Sequence, residues 1–486
     1  MELIPDDVVE VTVCSEEPTP VSEWFESPVM EDMPDDVLLA VLQYVDVEDL
    51  FACRLVCKKL GALALHPDVW RHRQLVAAKA GLEDAGQETP VLRLAPCLRE
   101  VCVDFPLDNL LFATTRCAVA NMTLEVWSDP SLQAALVLRN QEALGRLKKA
   151  ELVFCPMEPI LNDIPWQPML SAPGQIPWLV FWTAATCGLK TLVINMFPPS
   201  VPADASLFRN SVVPCSTLTE FQCEVSKKSE PFVNFVLAGH AATLEEVGLA
   251  GAGLPSSSTL TATLLAAAPN LARLQCALLP GLEALAESAS LREVCLVVTS
   301  ASDLKFLGPR ASGLKPAVPA AAAFLRRADQ LHNVALRIFA ADAGLALVEA
   351  LASCERSQVK TLALDLCKDG SFSWLQKLLE PLIALLALRC LKVQVSAWQK
   401  GDKGDKPLPC HHAWLHTAPV KRLMAANRRL RLVVCGFQGD TKPKYCSGDE
   451  PCDVCLLGCG TSMPSECTKL LARVGKVVGD SHLDGE

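Results

Sequence analysis

The stretch MPDDVLLAVLQYVDVEDLFACRLVCKKLGALALHPDVWR, residues 33–71, decides how the chain is interpreted, because its apolar residues follow the spacing of three short helices. Pro34 and the acids Asp35 and Asp36 suit a first helical turn, where proline needs no amide partner and carboxylates favour the positive end. Asp46 predicts a second helix start. Three helices this short bury too little surface to be stable alone, so we expect some apolar faces to meet a partner.

The same stretch resembles the F-box, through which ubiquitin-ligase substrate receptors bind an SKP-family adaptor. The residues that carry the resemblance are Pro34, Leu38, Leu39, Leu42, Tyr44, Val45, Asp46, Asp49, Leu50, Leu55, Val56, Cys57, Lys58, Pro67 and Trp70. Met33 stands where the family usually has Leu, and Leu60 stands where it usually has Trp. Both positions stay apolar, so we expect weaker packing but retained binding. The alternative is a helical hairpin packed into the chain's own core.

The resemblance implies a set of adaptor-binding residues on this segment. They are Pro34, Leu38, Leu42, Val45, Leu50, Val56, Cys57 and Trp70. Through the adaptor, the resemblance also implies a cullin and a RING subunit as partners.

Composition limits the remaining classes of function. The 486-residue chain is 50% hydrophobic with a net charge of −11, and residues 1–32 hold ten acids and no Lys or Arg. The rest is therefore near −1, which argues against a basic nucleic-acid-binding face. No apolar run reaches the roughly 18 residues of a membrane span, and the acidic start does not fit a secretory signal. We expect a cytoplasmic or nuclear protein whose 22 cysteines are mostly reduced.

From residue 92 onward, the pattern Leu-x-x-apolar-x-apolar recurs and alternates with helical spacing. The leading residues are Leu98, Leu147, Leu189, Leu218, Leu244, Leu271, Leu291, Leu331 and Val359, with a poorer copy at Leu391. A repeat of about 28 residues with this alternation is typical of leucine-rich repeats. Cys155 and Cys367 lie eight residues after their leading residues, where the F-box leucine-rich-repeat family also has Cys. The predicted fold is therefore α/β: a three-helix F-box and an irregular repeat solenoid, with parallel strands on the concave face and helices outside.

The predicted domain organisation has four parts. Residues 1–32 form an acidic disordered arm, residues 33–80 the F-box, residues 91–435 the solenoid, and residues 436–486 a Cys-rich cap and tail. Within the solenoid, residues 156–182 form an insert rich in Pro and Trp, with too many prolines for a regular helix or a central strand. This insert either presents aromatic side chains to a ligand or packs on the solenoid edge.

The sequence contains no recognisable catalytic motif, so we expect a non-catalytic protein without a cofactor. It has no phosphate-binding Gly-Lys-Ser/Thr loop, no Gly-x-Ser-x-Gly elbow and no His-Glu-x-x-His helix. Metal-like residues cluster only near the C-terminus, at Cys446, Cys452, Cys455, Cys459 and Cys467, after Cys410, His411, His412 and His416. Cys-x-x-Cys suits zinc, but the other intervals match no known finger. A reduced Cys-rich cap and a redox-sensitive thiol pair are the alternatives, and we assign no metal ligand.

These observations predict the substrate-recognition subunit of an SCF-type cullin ubiquitin ligase, whose solenoid binds a protein client. A scaffold acting outside a ligase and a zinc-dependent function of the C-terminus are the alternatives. The sequence does not identify the client. Strand positions expected to face the concave surface offer candidate contacts, namely Glu220, Arg273, Arg292, Lys360 and Asp365.

Overall fold

The fold is seen in a computed structural model of the chain. The structure describes residues 33–76, 88–105, 110–126, 131–155, 175–197, 206–209, 211–226, 228–249, 258–298, 317–338, 341–366, 372–395 and 417–435. The acidic arm, the Cys-rich C-terminus with its candidate zinc ligands, and residues 156–174 of the insert lie outside these ranges. The predictions made for those segments stay predictions.

The N-terminal segment is helical, as its apolar spacing predicts. It contains α1 (Asp35–Leu42), α2 (Val47–Val56), α3 (Lys58–Ala64) and a final turn, α4 (Pro67–Trp70). Cys57 separates α2 from α3, and its sulfur accepts a hydrogen bond from the amide of Leu60 at 3.4 Å. The Nδ1 atom of His66 likewise accepts a hydrogen bond from the amide of Asp68 at 3.3 Å, which satisfies an N–H at the start of α4.

The four helices enclose a small core centred on Trp70, which is fully buried. Its indole Nε1 donates to the carbonyl oxygen of Ala64 at 2.7 Å, so the polar edge of the ring is satisfied. Leu60, the residue that departs from the F-box pattern, is buried in the same core. The substitution therefore keeps an apolar side chain in the packing.

The rest of the described chain builds one sheet of thirteen parallel strands in sequence order, each paired with the next. The strands are β1 (Gln74–Val76), β2 (Cys97–Phe105), β3 (Ala118–Val126), β4 (Lys149–Phe154), β5 (Thr191–Asn195), β6 (Glu220–Cys223), β7 (Glu246–Leu249), β8 (Arg273–Ala277), β9 (Glu293–Val298), β10 (Asn333–Ile338), β11 (Thr361–Leu366), β12 (Cys390–Val395) and β13 (Arg431–Cys435). Helical segments connect most of the strands, as parallel pairing requires.

The connecting α-helices cover one face of the sheet. They are α5 (Glu88–Leu94), α6 (Leu111–Thr114), α7 (Ser131–Leu144), α8 (Gln175–Ala185), α9 (Ser206–Arg209), α10 (Glu230–His240), α11 (Leu260–Ala266), α12 (Ala317–Arg327), α13 (Ala341–Ala352), α14 (Phe372–Leu379) and α15 (Ala418–Ala426). The 3₁₀ helix Leu282–Glu287 takes the same place between β8 and β9, and a second 3₁₀ helix, Pro381–Ala384, follows α14 in the connection to β12. The arrangement confirms the predicted α/β solenoid.

Alternation along each strand separates the core from the open face of the sheet. In β9, Val294 and Leu296 are buried, whereas Glu293 and Cys295 are half-buried on the opposite face. The leading residue of each predicted repeat from Leu147 to Val359 lies two positions before its strand and is buried. Each such side chain fills the space between neighbouring turns, so the repeats stabilise one another.

One element differs from the prediction near the start of the sheet. Residues 33–80 were assigned to the F-box helices, but Gln74–Val76 is a strand paired in parallel with β2, in the register Gln74 to Glu100. The three-residue pairing supplies β1 to the sheet, although its sequence has no strand alternation long enough to recognise. The sheet therefore begins inside the segment assigned to the F-box.

The insert also differs from the prediction where it is described. Residues 175–185 form the regular helix α8 despite Pro177. This proline lies in the first turn, where its missing amide hydrogen has no helical partner to lose. Trp178 and Trp182 are half-exposed on α8, and Phe181 between them packs against Phe235 with ring centroids 5.4 Å apart.

No described helix is both long enough and apolar enough to span a lipid bilayer.

Candidate functional site

The F-box segment carries several large apolar side chains on its surface. Val37 and Val41 lie one turn apart on α1, and Tyr44, just after α1, is 89% exposed. At the end of α2, Leu55 is 86% exposed and Val56 is 69% exposed. Since water contact with such side chains is unfavourable, their concentration on two short helices marks a surface suited to a protein partner. We call these five residues the apolar F-box surface.

The predicted adaptor-binding residues divide between this surface and the core. Pro34 and Val56 are exposed, and Val45 and Cys57 are half-buried. The four others are buried in the segment's own core, and they are Leu38, Leu42, Leu50 and Trp70. Side chains in the core hold the helices in place, so we expect the exposed and half-buried residues of the predicted set to supply the direct contacts with an adaptor.

The sequence pattern missed four members of the apolar F-box surface: Val37, Val41, Tyr44 and Leu55. Apolar residues occupy more than one face of α1 and α2, and periodicity alone does not say which face packs inward. Tyr44 and Leu55 belong to the F-box resemblance but not to the predicted contacts.

Arg73 fastens the helices to the first strand. Its Nη2 atom donates to the carbonyl oxygens of Leu42 at 3.0 Å, Gln43 at 3.3 Å and Val45 at 2.6 Å. Its Nε atom donates to the carbonyl oxygen of Val69 at 3.0 Å. Burial lowers the pKa of Arg73 from its ordinary value, while the charge of Asp46 opposes that shift. The guanidinium thereby satisfies carbonyl groups after α1 and holds the connection beside Tyr44.

Lys59 connects α3 with the beginning of α1. Its ammonium donates to the carbonyl oxygen of Met33 at 2.7 Å and lies 3.3 Å from the Asp35 carboxylate. Together with Arg73, it holds both ends of α1, the helix that carries Val37 and Val41. Val37 and Val41 therefore lie on a helix that is held at both ends.

A second candidate surface is the helix-free face of the sheet, which we call the concave face. Its charged residues are unevenly distributed along the strands. Strands β2–β7 contribute Glu100, Asp104, Glu125, Lys149, Glu151, Glu220 and Glu246. Strands β8–β13 contribute Arg273, Glu293, Arg337, Asp365, Lys392 and Arg431. The first half of the concave face is acidic, whereas cations outnumber acids in the second half.

Several of these charges pair across neighbouring strands. Arg273 contacts the carboxylate of Glu246 through Nη2 at 2.5 Å and Nε at 2.7 Å. Arg337 donates to Asp365 at 3.1 Å, and both side chains are largely buried. Such pairs fix side-chain positions, whereas strands β2–β4 carry an excess of acidic residues on this face although Lys149 pairs with Glu151 there.

Small side chains line a recess in the middle of the concave face. Gly248, Cys295, Ala335 and Ala363 border a cavity of about 140 Å³. The Nε2 atom of Gln275, on the same face, is buried and forms no hydrogen bond within the described residues. This region has an apolar floor with a polar edge.

The five sequence candidates for client contact do not all lie on the concave face. Glu220, Arg273 and Asp365 do, since they occupy the alternating positions opposite the core. Arg292 and Lys360 precede their strands by one residue and share the alternation of the buried positions. They therefore lie at the strand entrance, and the expectation of a concave position was wrong for these two residues.

One group of potential metal-ligand atoms lies on the concave face. One oxygen each from Asp104 and Glu125 and the sulfur of Cys102 lie within 4.8 Å of one another. Burial, and then the charges of Glu125 and Asp104, raise the pKa of the Cys102 thiol to about 12. Its sulfur lies 3.7 Å from Glu125 Oε1, at donor–acceptor distance. A protonated thiol that donates to a carboxylate accounts for this arrangement.

Comparison with protein families agrees with the helical geometry. Residues 30–75 match the family model of the F-box-like domain. A comparison with curated proteins found no match. The chain therefore contains an F-box-like domain followed by a parallel α/β solenoid. F-box domains are typically non-catalytic and generally bind SKP-family adaptors.

Proposed function

We propose that the protein is the substrate-recognition subunit of an SCF-type cullin ubiquitin ligase. The single observation that carries the proposal is the apolar F-box surface on a segment that matches the F-box-like family. The surface would bind an SKP-family adaptor and, through it, a cullin and a RING subunit. The protein itself does not catalyse ubiquitin transfer, and it works in the cytoplasm, the nucleus or both.

In this proposal, the protein promotes ubiquitin transfer only by holding the client close to the enzyme that carries ubiquitin. The F-box holds the protein in the ligase, and the solenoid holds a client, so client lysines stay near a ubiquitin-charged enzyme at high local concentration. The β1–β2 pairing supports this division of labour, because it joins the F-box helices directly to the sheet. Because this connection is short, we expect it to limit movement of the bound client relative to the bound adaptor.

The concave face is the proposed client site. Its acidic first half favours a client segment rich in Lys or Arg, because opposite charges steer association and fix register. Glu100, Asp104 and Glu125 are the residues on which this preference rests.

Co-purification with a purified SKP-family adaptor tests the proposal. The double variant Leu55→Asp, Val56→Asp places charges on the apolar F-box surface without disturbing the core. We expect at least about tenfold less bound adaptor than for wild type, as for the loss of 1.4 kcal/mol or more. The matched control is Leu386→Asp in the solenoid, because Leu386 is also highly exposed, at 81%. Equal adaptor recovery from wild type and the double variant would refute the adaptor site.

Leu38 and Leu42 are poor test positions because they are buried. An Asp at either residue places a charge in the core and unfolds the helices whatever their partner. A reconstituted ubiquitination assay then separates a receptor from a scaffold. Client modification that requires the intact apolar F-box surface supports a receptor, whereas adaptor binding without client modification supports a scaffold.

A further inference from the structure

Two cysteines from consecutive repeats form a disulfide at the surface of the solenoid. Cys187 is exposed between α8 and β5, and Cys215 is half-buried in the segment before β6. Their Cα atoms are 5.6 Å apart, a separation common for bonded cysteines. The sequence led us to expect mostly reduced thiols, and this pair departs from that expectation.

Hydrogen bonds hold Cys187 in place in addition to the disulfide. Its amide donates to the Glu142 carboxylate at 2.9 Å. Gly188 then turns the chain with φ +83°, and the amide of Lys190 donates to the carbonyl oxygen of Lys148 at 2.8 Å. Only glycine adopts this backbone region easily, so the turn beside Cys187 is set by the sequence.

The segment around Cys215 is held just as independently. The amides of Thr217 and Leu218 both donate to Nδ1 of His240, at 3.2 and 3.4 Å. The hydroxyl of Ser216 lies 3.2 Å from that of Thr243. The two sulfurs therefore face each other whether or not they are bonded, which gives the thiol pair a high effective concentration.

The other described cysteines have different surroundings. The free cysteines whose side chains the structure describes are all buried or half-buried. Burial raises the pKa of the Cys117 thiol to about 12 and that of Cys295 to about 11, and it raises the pKa of Cys276 further still. Since the thiolate is the reactive form, these residues are slow nucleophiles as well as shielded ones.

We propose that Cys187 and Cys215 form a reversible redox-modification site that reacts with a peroxide. The exposed Cys187 sulfur attacks one oxygen of hydrogen peroxide, the O–O bond breaks, and Cys187 becomes a sulfenic acid with release of water. The Cys215 sulfur then attacks the Cys187 sulfur, the S–O bond breaks, and a second water leaves with the thiol proton. Two thiols lose two electrons in total and the peroxide gains them. A dithiol reductant reverses the step by thiol–disulfide exchange.

The disulfide also positions the wall of a nearby cavity. Ser211, Val212 and Val213, just before Cys215, line a cavity of about 660 Å³ together with Phe235 and Gly239 of α10. Bonding to Cys187 ties this wall to the preceding repeat. Reduction removes this tie while the hydrogen bonds of Thr217 and Leu218 to His240 remain, so the redox state of the pair controls how firmly residues 211–213 close the cavity on this side.

Thiol mapping on the full-length protein tests the chemistry. Protein reduced with dithiothreitol and freed of it is treated with less than one equivalent of hydrogen peroxide, alkylated with N-ethylmaleimide, digested and analysed by mass spectrometry. We expect a Cys187–Cys215 disulfide as the first product and its loss on renewed reduction. Oxidation of other cysteines while this pair remains alkylated would overturn the proposal. A bond that dithiothreitol cannot reduce in the native protein would overturn it too, since that bond is purely structural.

Single substitutions identify the role of each sulfur. In Cys215→Ser, dimedone should trap a sulfenic acid at Cys187, whereas Cys187→Ser should form no disulfide at Cys215. Cys155→Ser, at a half-buried cysteine, is the matched control and should oxidise like wild type. A sulfenic acid at Cys215 of the Cys187→Ser variant, formed as fast as at Cys187, would contradict the assigned order of attack.

Hydrogen exchange tests the structural consequence. Amides of residues 211–218 should exchange at least about threefold faster in the reduced protein than in the oxidised protein, because local opening no longer breaks a covalent tie. Residues 333–338 of β10 lie outside the closed loop and serve as the internal reference. Equal exchange of residues 211–218 in both states would remove the proposed link to the cavity wall.

Discussion

The Nε2 atom of His240 lies 3.1 Å from the carbonyl oxygen of Ala184, and this contact joins the end of α8 to the end of α10. Because the Nδ1 atom accepts hydrogen bonds from two backbone amides, the proton of the neutral ring must lie on Nε2. The imidazole therefore donates to one repeat and accepts from the next, and it is fully buried between them.

Stability should fall on acidification because of His240. Burial lowers its pKa from 6.5, partly opposed by the hydrogen bond to Ala184. The native ring thus stays neutral where the unfolded ring binds a proton, and stability is lost as pH falls below about 6.5 toward the native pKa, by at most about 1.4 kcal/mol per pH unit. The measurement is the protection factor of the Thr217 and Leu218 amides, that is, their hydrogen exchange relative to the intrinsic rate at the same pH, compared between pH 7.5 and 5.5. In His240→Gln the difference between the two pH values should shrink, and an unchanged difference would exclude this residue.

Arg73→Lys should loosen the connection between α1 and α2. Lysine carries a single ammonium and cannot reach the carbonyl oxygens that the guanidinium satisfies together, so we expect a loss of about 1.5–3 kcal/mol in local stability. Hydrogen exchange across residues 42–50 measures it. Arg71→Lys is the matched control, because Arg71 is exposed and both of its contacts, an ion pair with Asp68 and a hydrogen bond to Nε2 of His72, lie at the surface. Similar exchange in both variants would argue against the bracing role of Arg73.

Leu271→Ala should cost about 2–5 kcal/mol, because the side chain is fully buried between neighbouring repeats and its loss leaves a cavity. Leu260→Ala, at a leucine that is 50% exposed on α11, should cost far less. Urea unfolding followed by circular dichroism compares the two variants. Equal midpoints for both would mean that the repeats do not share a continuous core.

Gly239→Ala should destabilise α10 although alanine favours helices by up to about 1 kcal/mol over glycine. A Cβ atom at this position would lie 2.2 Å from a methyl carbon of Val213, so the cavity wall would have to move. Adding Val213→Ala should recover part of the loss, measured as the thermal midpoint of the double variant against Gly239→Ala. No recovery would show that the clash is not the cause.

The solenoid was predictable because most of its strands begin two residues after a buried aliphatic residue. The prediction failed where that residue changes. In β3, Val119 takes the leading position, so a search for Leu misses the strand. In β12, the pairing of Thr361 with Cys390 makes Leu388 the leading residue, three positions before the predicted Leu391. A search for a leading Leu fails when another residue takes that position, whereas the register of strand pairing still identifies the position.

The candidate site was predictable only in outline. The order of residues from Pro34 to Trp70 identified the segment, but Leu38 and Val37 are neighbours of equal hydrophobicity, and only packing decides which one is buried. The disulfide could not be predicted from spacing, because a chain with 22 cysteines offers too many pairings.

The uninterrupted order of the thirteen strands also sets a scale of length. Since neighbouring strands lie about 4.8 Å apart, the twelve intervals from β1 to β13 give on the order of 58 Å along the sheet. The F-box helices stand at the beginning of this scale, directly before β1. A protein bound near β2 and one bound near β12 would therefore be presented at very different distances from whatever the F-box holds, and the sheet would act as a ruler for that distance.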